Sequence, residues 1–122
     1  MPLDPKAKEF LLKNIKKTIE DVQNQSFDCF RKMLPKIAYV AEMFPDPEWT
    51  KELNLASCSL IVIGAAAEGG IPKLSKEKQE ELSKQYVAKL SDFYTAIEEE
   101  SIAKTDTFLK EFASLFVEAF GL

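Results

Sequence analysis

The chain has 122 residues, of which 46% are hydrophobic and 30% charged, a composition typical of one globular domain over residues 1–122. It contains no histidine, which excludes Ser-His-Asp and Cys-His catalysis, histidine ligation of a metal or haem, and a histidine pH switch. Residues 1–36 hold eight basic and five acidic residues, whereas residues 37–122 hold eight basic and fifteen acidic residues. The resulting net charge of −4 disfavours general binding of nucleic acid, although a basic first helix could contact phosphate.

The first helical pattern begins at Asp4, which can cap a helix, and Pro5, which fits the first helical position. Apolar residues then recur every three or four positions as far as Phe44, which is the spacing of one helix face. Pro35 lies inside this pattern and lacks a backbone donor, so a helix there should be kinked or interrupted. We therefore predict a broken or kinked helix over about 5–44.

A second helix is predicted from about 47 to 68, with Asp46 as its N-cap and Pro47 in its first turn. Residues 55–67 contain no charged side chain, and a helix that is apolar nearly all round should be packed on several sides. We expect this helix to be central in the fold and three of its residues to be nearly fully buried: Leu60, Ile61 and Ile63. The apolar stretch is too short to cross a bilayer comfortably, so we expect no membrane span.

Glycine and proline residues over 68–72 predict the end of this helix, and Ser75 is placed to cap the next one, which should run to about residue 100. Three cap-competent residues in succession, 105–107, predict a break near 103–106. A last helix then extends to Phe120. Together these elements predict an all-α fold, a single helical bundle of four to five helices with the apolar helix at its centre.

In a chain without histidine, acid–base chemistry would fall to carboxylates, and no group of them is placed to converge. Glu98, Glu99 and Glu100 are consecutive, so they should fan around a helix as a solvated, ion-paired surface. Glu68 follows the most apolar stretch, where a buried carboxylate could act as an acid, but its place before two glycines favours an exposed helix end. We predict no catalytic residue, no metal and no cofactor.

The two cysteines, Cys29 and Cys58, lie among apolar residues and form no CxxC motif. This favours two buried, reduced thiols in a cytoplasmic protein, although the sequence leaves a disulfide open. The N-terminus has no apolar run of the signal-peptide type, which also favours the cytoplasm.

The last helix carries four phenylalanines at four-residue spacing, which cover an arc of about 120° at 100° per residue: Phe108, Phe112, Phe116 and Phe120. Leucine and valine residues widen this face beyond the stripe of slightly over 100° that a bundle usually buries. Phe108, Phe112 and Leu115 should belong to the core. The surplus near the chain end predicts a partner-binding surface of three residues: Phe116, Phe120 and Leu122.

These observations favour a non-catalytic protein-interaction module, such as an adaptor, regulator, immunity protein or accessory subunit. Its partner would be another protein or a second copy of the chain. The alternative is a small bundle that binds an apolar ligand in a pocket between helices. The two hypotheses differ in oligomeric state, since a strict monomer with an occupied apolar cavity would favour ligand binding.

Overall fold

A computed structural model of the chain describes residues 3–24, 29–44, 46–55 and 73–120, with the side chains of 29–31, 33–34, 113 and 116–120 left out. Within these ranges the chain is helical and contains no β-strand, so the predicted all-α bundle is confirmed. The helices are α1 (Pro5–Gln23), α2 (Cys29–Met43), α3 (described over 47–55), α4 (Lys76–Glu98) and α5 (Ile102–Phe120).

Helix α1 begins as its sequence predicts. The Asp4 carboxylate accepts hydrogen bonds from the backbone amides of Lys6 at 2.9 Å and Ala7 at 3.4 Å, and Pro5 occupies the first helical position. The helix ends at Asn24, whose backbone N–H donates to Glu20 O at 3.1 Å. The predicted interruption of the 5–44 segment therefore lies between α1 and α2, whereas Pro35 is accommodated inside α2.

The junction between α2 and α3 also follows the predicted signals. Asp46 Oδ1 accepts hydrogen bonds from the amides of Glu48 and Trp49, both at 3.1 Å, so it is the N-cap of α3. Trp49 and Leu53 are each 1% exposed, so the described part of the predicted central helix is buried on that face. The residues that should lie deepest in it, over 60–63, are outside the described residues.

The predicted break near 103–106 is wrong, because α4 ends at Glu98 and α5 begins at Ile102. The Ser101 amide donates to Ala96 O at 2.8 Å and the Glu100 amide to Ile97 O at 3.0 Å, which together form a Schellman motif. Glu100 takes the left-handed position that usually belongs to glycine, with φ 54°, and Ser101 then caps α5. The break therefore falls several residues before the cap-competent run at 105–107.

Helix pairs in the bundle run antiparallel. Phe10 of α1 lies against Tyr39 of α2, and the N-terminus of α1 meets the end of α4 through Glu100, which accepts from the Leu3 amide at 2.8 Å. Phe108 of α5 stacks on Phe93 of α4. The buried side chains form one apolar cluster drawn from all five helices: Leu3, Ala7, Leu11, Ile15, Val22, Ile37, Val40, Ala41, Trp49, Leu53, Leu82, Tyr86, Leu90, Phe93, Ile97, Phe108, Leu109 and Phe112.

Candidate interaction surface

The C-terminal helix confirms part of the prediction made for it. Phe108 and Phe112 are 1% and 0% exposed, so both belong to the core. The backbone is helical through Phe116 and Phe120, but their side chains, like Leu122, lie outside what the structure describes. The partner-binding role of Phe116, Phe120 and Leu122 therefore stays a prediction.

A different apolar surface lies on the outer side of α1 and α2. Tyr39 is 45% exposed and Met43 is 57% exposed, one helical turn apart on α2. The Tyr39 ring contacts Phe10 at a centroid distance of 5.2 Å and Phe44 at 6.5 Å, and both phenylalanines are half-buried. Tyr39 is thus held between two partly buried rings while almost half of its surface faces solvent.

Lysines surround this apolar centre. Lys6 and Lys13 lie one turn on either side of Phe10 along α1, and Lys36 lies one turn before Tyr39 along α2. None of these three ammonium groups forms an ion pair with any other described residue. We call the set of Phe10, Tyr39, Met43, Lys6, Lys13 and Lys36 the α1–α2 surface.

Lys17, further along α1, is paired. Lys17 Nζ lies 3.1 Å from Asp21 Oδ1, one turn further along, and the hydrogen bond and charge of Asp21 raise the pKa of Lys17.

Glu9 and Glu42 are exposed acidic residues near the α1–α2 surface. Even so, α1 holds five basic and three acidic residues, and α2 holds three basic residues and one acidic residue. Together the two helices carry a net charge of +4. The whole chain has a net charge of −4, so the remainder carries −8.

The sequence contains a signal for this surface that the periodicity of the buried helix faces does not capture. Tyr39 and Met43 are four residues apart and lie off the apolar stripe of α2, whose buried positions are Ile37, Val40 and Ala41. Large apolar residues outside the stripe of an otherwise regular amphipathic helix indicate either a second packing contact or an exposed patch.

Three surface clefts are lined by described residues, and all are bordered by charge. The largest, of about 530 Å³, is formed by a single helix, α1, and is lined by Pro5, Lys8, Glu9, Leu12, Lys13 and Lys16. The other two lie between α4 and α5. One, of about 400 Å³, is lined by Lys89, Lys110, Glu111, Ser114 and Leu115. The other, of about 320 Å³, is lined by Asp92, Thr95, Lys104, Thr107, Phe108 and Glu111. None of the three is enclosed, as a pocket for an apolar ligand is expected to be.

Glu52 is the one acidic residue among the buried polar side chains of the described residues, at 8% exposure. Burial raises the pKa of its carboxyl, Asp106 raises it further, and Lys110 and Lys51 oppose the shift. Glu52 Oε1 and Trp49 Nε1 have no hydrogen-bond partner among the described residues. Glu52 lines none of these three clefts, so this acid is not placed beside a substrate-sized space there.

Two of the three consecutive glutamates at the end of α4 form ion pairs, as predicted. Glu99 pairs with Lys104, and Glu100 Oε2 lies 3.7 Å from Lys8 Nζ. Their geometry differs from the prediction, because Glu99 and Glu100 lie at and beyond the helix end and do not fan around a helix. Glu68, Cys58 and the Cys29 side chain are outside the described residues.

Across the described ranges, no three or more cysteine and acidic residues are grouped so as to hold a metal ion. The helices described in full also include none with the length and hydropathy needed to cross a membrane. Comparison of the chain with protein-family models, with curated proteins and with solved structures found no match to any of them.

Proposed function

We propose that this chain is a non-catalytic protein-interaction module that binds a protein partner through the α1–α2 surface. The observation that carries the proposal is the exposure of Tyr39 and Met43, at 45% and 57%, on a helix whose other large apolar side chains with described burial are buried or half-buried. Tyrosine and methionine are enriched at protein interfaces because they provide a large apolar contact area.

The packing around Tyr39 supports a binding role. Its ring is supported by Phe10 and Phe44, so less side-chain entropy is lost when a partner covers it than for a freely rotating side chain. An aromatic anchor with a polar rim is the usual organisation of an interface centre. Here Lys6, Lys13 and Lys36 provide that rim.

The test is position-specific photo-crosslinking in the cells that produce the protein. The photoreactive amino acid p-benzoylphenylalanine replaces Tyr39 in one variant and Met43 in a second. Gln85, an exposed residue of α4, is replaced in the control. We expect crosslinks to a protein from positions 39 and 43 and none from position 85. Equal crosslinking at all three positions, or none at 39 and 43, would contradict the proposal.

Self-association through the C-terminal end is a separate part of the proposal. Phe116 and Phe120 continue the four-residue spacing of the buried Phe108 and Phe112, and Leu122 follows them. The double variant Phe116→Asp with Phe120→Asp should lower the mass measured by light scattering while keeping the helical circular dichroism signal. A variant that unfolds would instead place those rings in the monomer core.

A further inference from the structure

We infer that the partner of the α1–α2 surface is an acidic amphipathic helix of another protein. Its apolar stripe would lie on Tyr39 and Met43, and its carboxylates would lie on Lys13 and Lys36. This inference rests on the proposed function and adds the chemistry of the partner to it.

The layout of the surface supports a helical ligand. Antiparallel packing places Phe10 beside Tyr39, so Lys13 on α1 and Lys36 on α2 lie on the same side of that ring pair. Three residues of helix separate each lysine from its ring, about 4.5 Å along the axis. An apolar centre and a cationic pair are therefore about one helical turn apart. On a partner helix, apolar and acidic residues three or four positions apart have the same spacing.

The positive charge of the α1–α2 surface favours a negatively charged partner. The α1–α2 pair carries a net charge of +4, and Lys6, Lys13 and Lys36 form no ion pair with other described residues. A carboxylate of a partner can therefore form an ion pair with each of these ammonium groups without displacing one that a described residue already forms. A basic or neutral helix with the same apolar stripe would gain no such attraction, so the surface discriminates by charge.

The same charge argues against a second copy that presents the same surface. A two-fold contact would place one α1–α2 surface on another and bring their lysines together, which is repulsive. Elsewhere in the described chain, Leu55 is the only exposed large hydrophobic residue, at 52%, and the residue one turn before it is Lys51. The described remainder of the chain thus offers no apolar stripe flanked by acids.

The experiment titrates the full chain, labelled with ¹⁵N, with two synthetic helical peptides of about 18 residues. Both carry the same leucine and phenylalanine stripe, and the other positions are glutamate in one peptide and lysine in the other. We expect the glutamate peptide to bind about tenfold tighter at about 0.05 M salt, with the difference shrinking at about 0.5 M. Amide shift changes should fall within residues 6–17 and 36–43.

Variants with matched controls separate charge from apolar contact. Lys13→Glu with Lys36→Glu should abolish the preference for the glutamate peptide, whereas Lys84→Glu, at an exposed lysine of α4, should leave it unchanged. Tyr39→Ser should weaken binding of the glutamate peptide by about tenfold. Leu55→Ser, at a residue of similar exposure, should not.

Four results would overturn the inference: equal binding of the two peptides, shift changes confined to α4 or α5, a dimer that Tyr39→Ser disrupts, or binding to phosphatidylserine vesicles that Lys13→Glu with Lys36→Glu abolishes.

The crosslinking experiment distinguishes failure of this inference from failure of the proposed function. If positions 39 and 43 still crosslink to a protein, only the acidic nature of the partner is wrong. If they do not, the proposed function fails as well.

Discussion

Helices α4 and α5 use their aromatic residues differently from α1 and α2. Between α4 and α5, Phe93 and Phe108 stack at 4.5 Å with their planes 7° apart, and Phe112 lies 5.1 Å from Phe108. All three are at most 1% exposed. Between α1 and α2, the central ring is Tyr39, which is 45% exposed. The comparison indicates that the aromatic rings between α4 and α5 stabilise the fold, whereas the central ring between α1 and α2 forms part of an exposed surface.

Ion pairs also distinguish the two regions. Lys89 of α4 reaches Glu111 of α5 at 2.7 Å, so a charged contact between helices borders the aromatic core. The lysines of the α1–α2 surface differ, because none of them forms an ion pair with any other described residue. The ion pairs of α1 involve two other lysines, Lys8 and Lys17.

The largest expected effect comes from the α4–α5 core. Phe108→Ala removes a ring that is 1% exposed and packed between Phe93 and Phe112, so it should lower the free energy of unfolding by about 3–5 kcal/mol. Tyr39→Ser should lower it by about 1 kcal/mol or less, since that ring is nearly half exposed. Urea unfolding followed by circular dichroism measures both. Equal losses would show that the two regions do not differ.

The second prediction concerns pH. Burial raises the pKa of Glu52 above its ordinary value of 4.5, so the folded state holds this proton to a higher pH than the unfolded state. The contribution of Glu52 to stability is then fully present below pH 4.5 and is lost as pH rises through the raised pKa. Glu52→Gln should therefore be more stable than the original chain at neutral pH, and its stability should depend less on pH over that window.

Glu111→Gln is the control for this prediction, because Glu111 is an exposed carboxylate. Its hydrogen bond raises the pKa of Lys89, so the stability linked to that lysine is present below pH 10.5 and lost as pH rises through the raised pKa. Glu111→Gln should lower stability at neutral pH by under about 1 kcal/mol. Unfolding free energies at several pH values give both comparisons. A Glu52→Gln variant less stable than the original at neutral pH would contradict the sign.

Local signals in the sequence were sufficient to predict where three of the helices begin. Asp4, Asp46 and Ser75 each accept a hydrogen bond from an amide of the first turn, and such caps depend only on residues a few positions apart. The α4–α5 break was missed because its left-handed residue is Glu100, a residue type that rarely ends a helix in this way. Its carboxylate bonds to the Leu3 amide, a contact that spans 97 positions. No local pattern contains that information.

The local pattern also left the candidate surface undecided between a second packing contact and an exposed patch. Periodicity identified the buried face of α2, but the exposure of Tyr39 depends on which neighbour covers the opposite face. Only the packing of α1 beside α2, with Phe10 against Tyr39, shows that this ring is supported and yet open to solvent. The predicted surface at Phe116, Phe120 and Leu122 depends on tertiary neighbours in the same way and stays a prediction.

The third prediction tests the strained turn between α4 and α5, which also contacts Leu3 and α1 through Glu100. Glu100 has φ 54°, which glycine adopts freely and alanine does not. Glu100→Ala and Glu100→Gly both remove the carboxylate that binds the Leu3 amide and lies 3.7 Å from Lys8 Nζ, so that loss cancels in their comparison. The glycine variant should be more stable than the alanine variant by about 1 kcal/mol. Equal stability would mean that the turn is not strained at this residue.

The last prediction compares the two aromatic contacts directly through double-mutant cycles. Phe93 and Phe108 are fully buried and stacked, so their coupling energy should lie near the upper end of the range for aromatic pairs, about 1.5 kcal/mol. Phe10 and Tyr39 lie at 5.2 Å with planes 47° apart and one ring exposed, so their coupling should be about 0.5 kcal/mol. Leucine replaces each ring singly and in pairs, and unfolding free energies provide the cycle.

The smaller of these two couplings bears directly on the proposed binding role. A coupling of about 0.5 kcal/mol would show that Phe10 restrains the Tyr39 ring before a partner arrives, at little gain in stability. Mutation of Tyr39 should then weaken binding more than folding, which is the property expected of an interface anchor. A coupling near zero would show that Phe10 does not restrain Tyr39, and the argument that this ring is preorganised for a partner would fail.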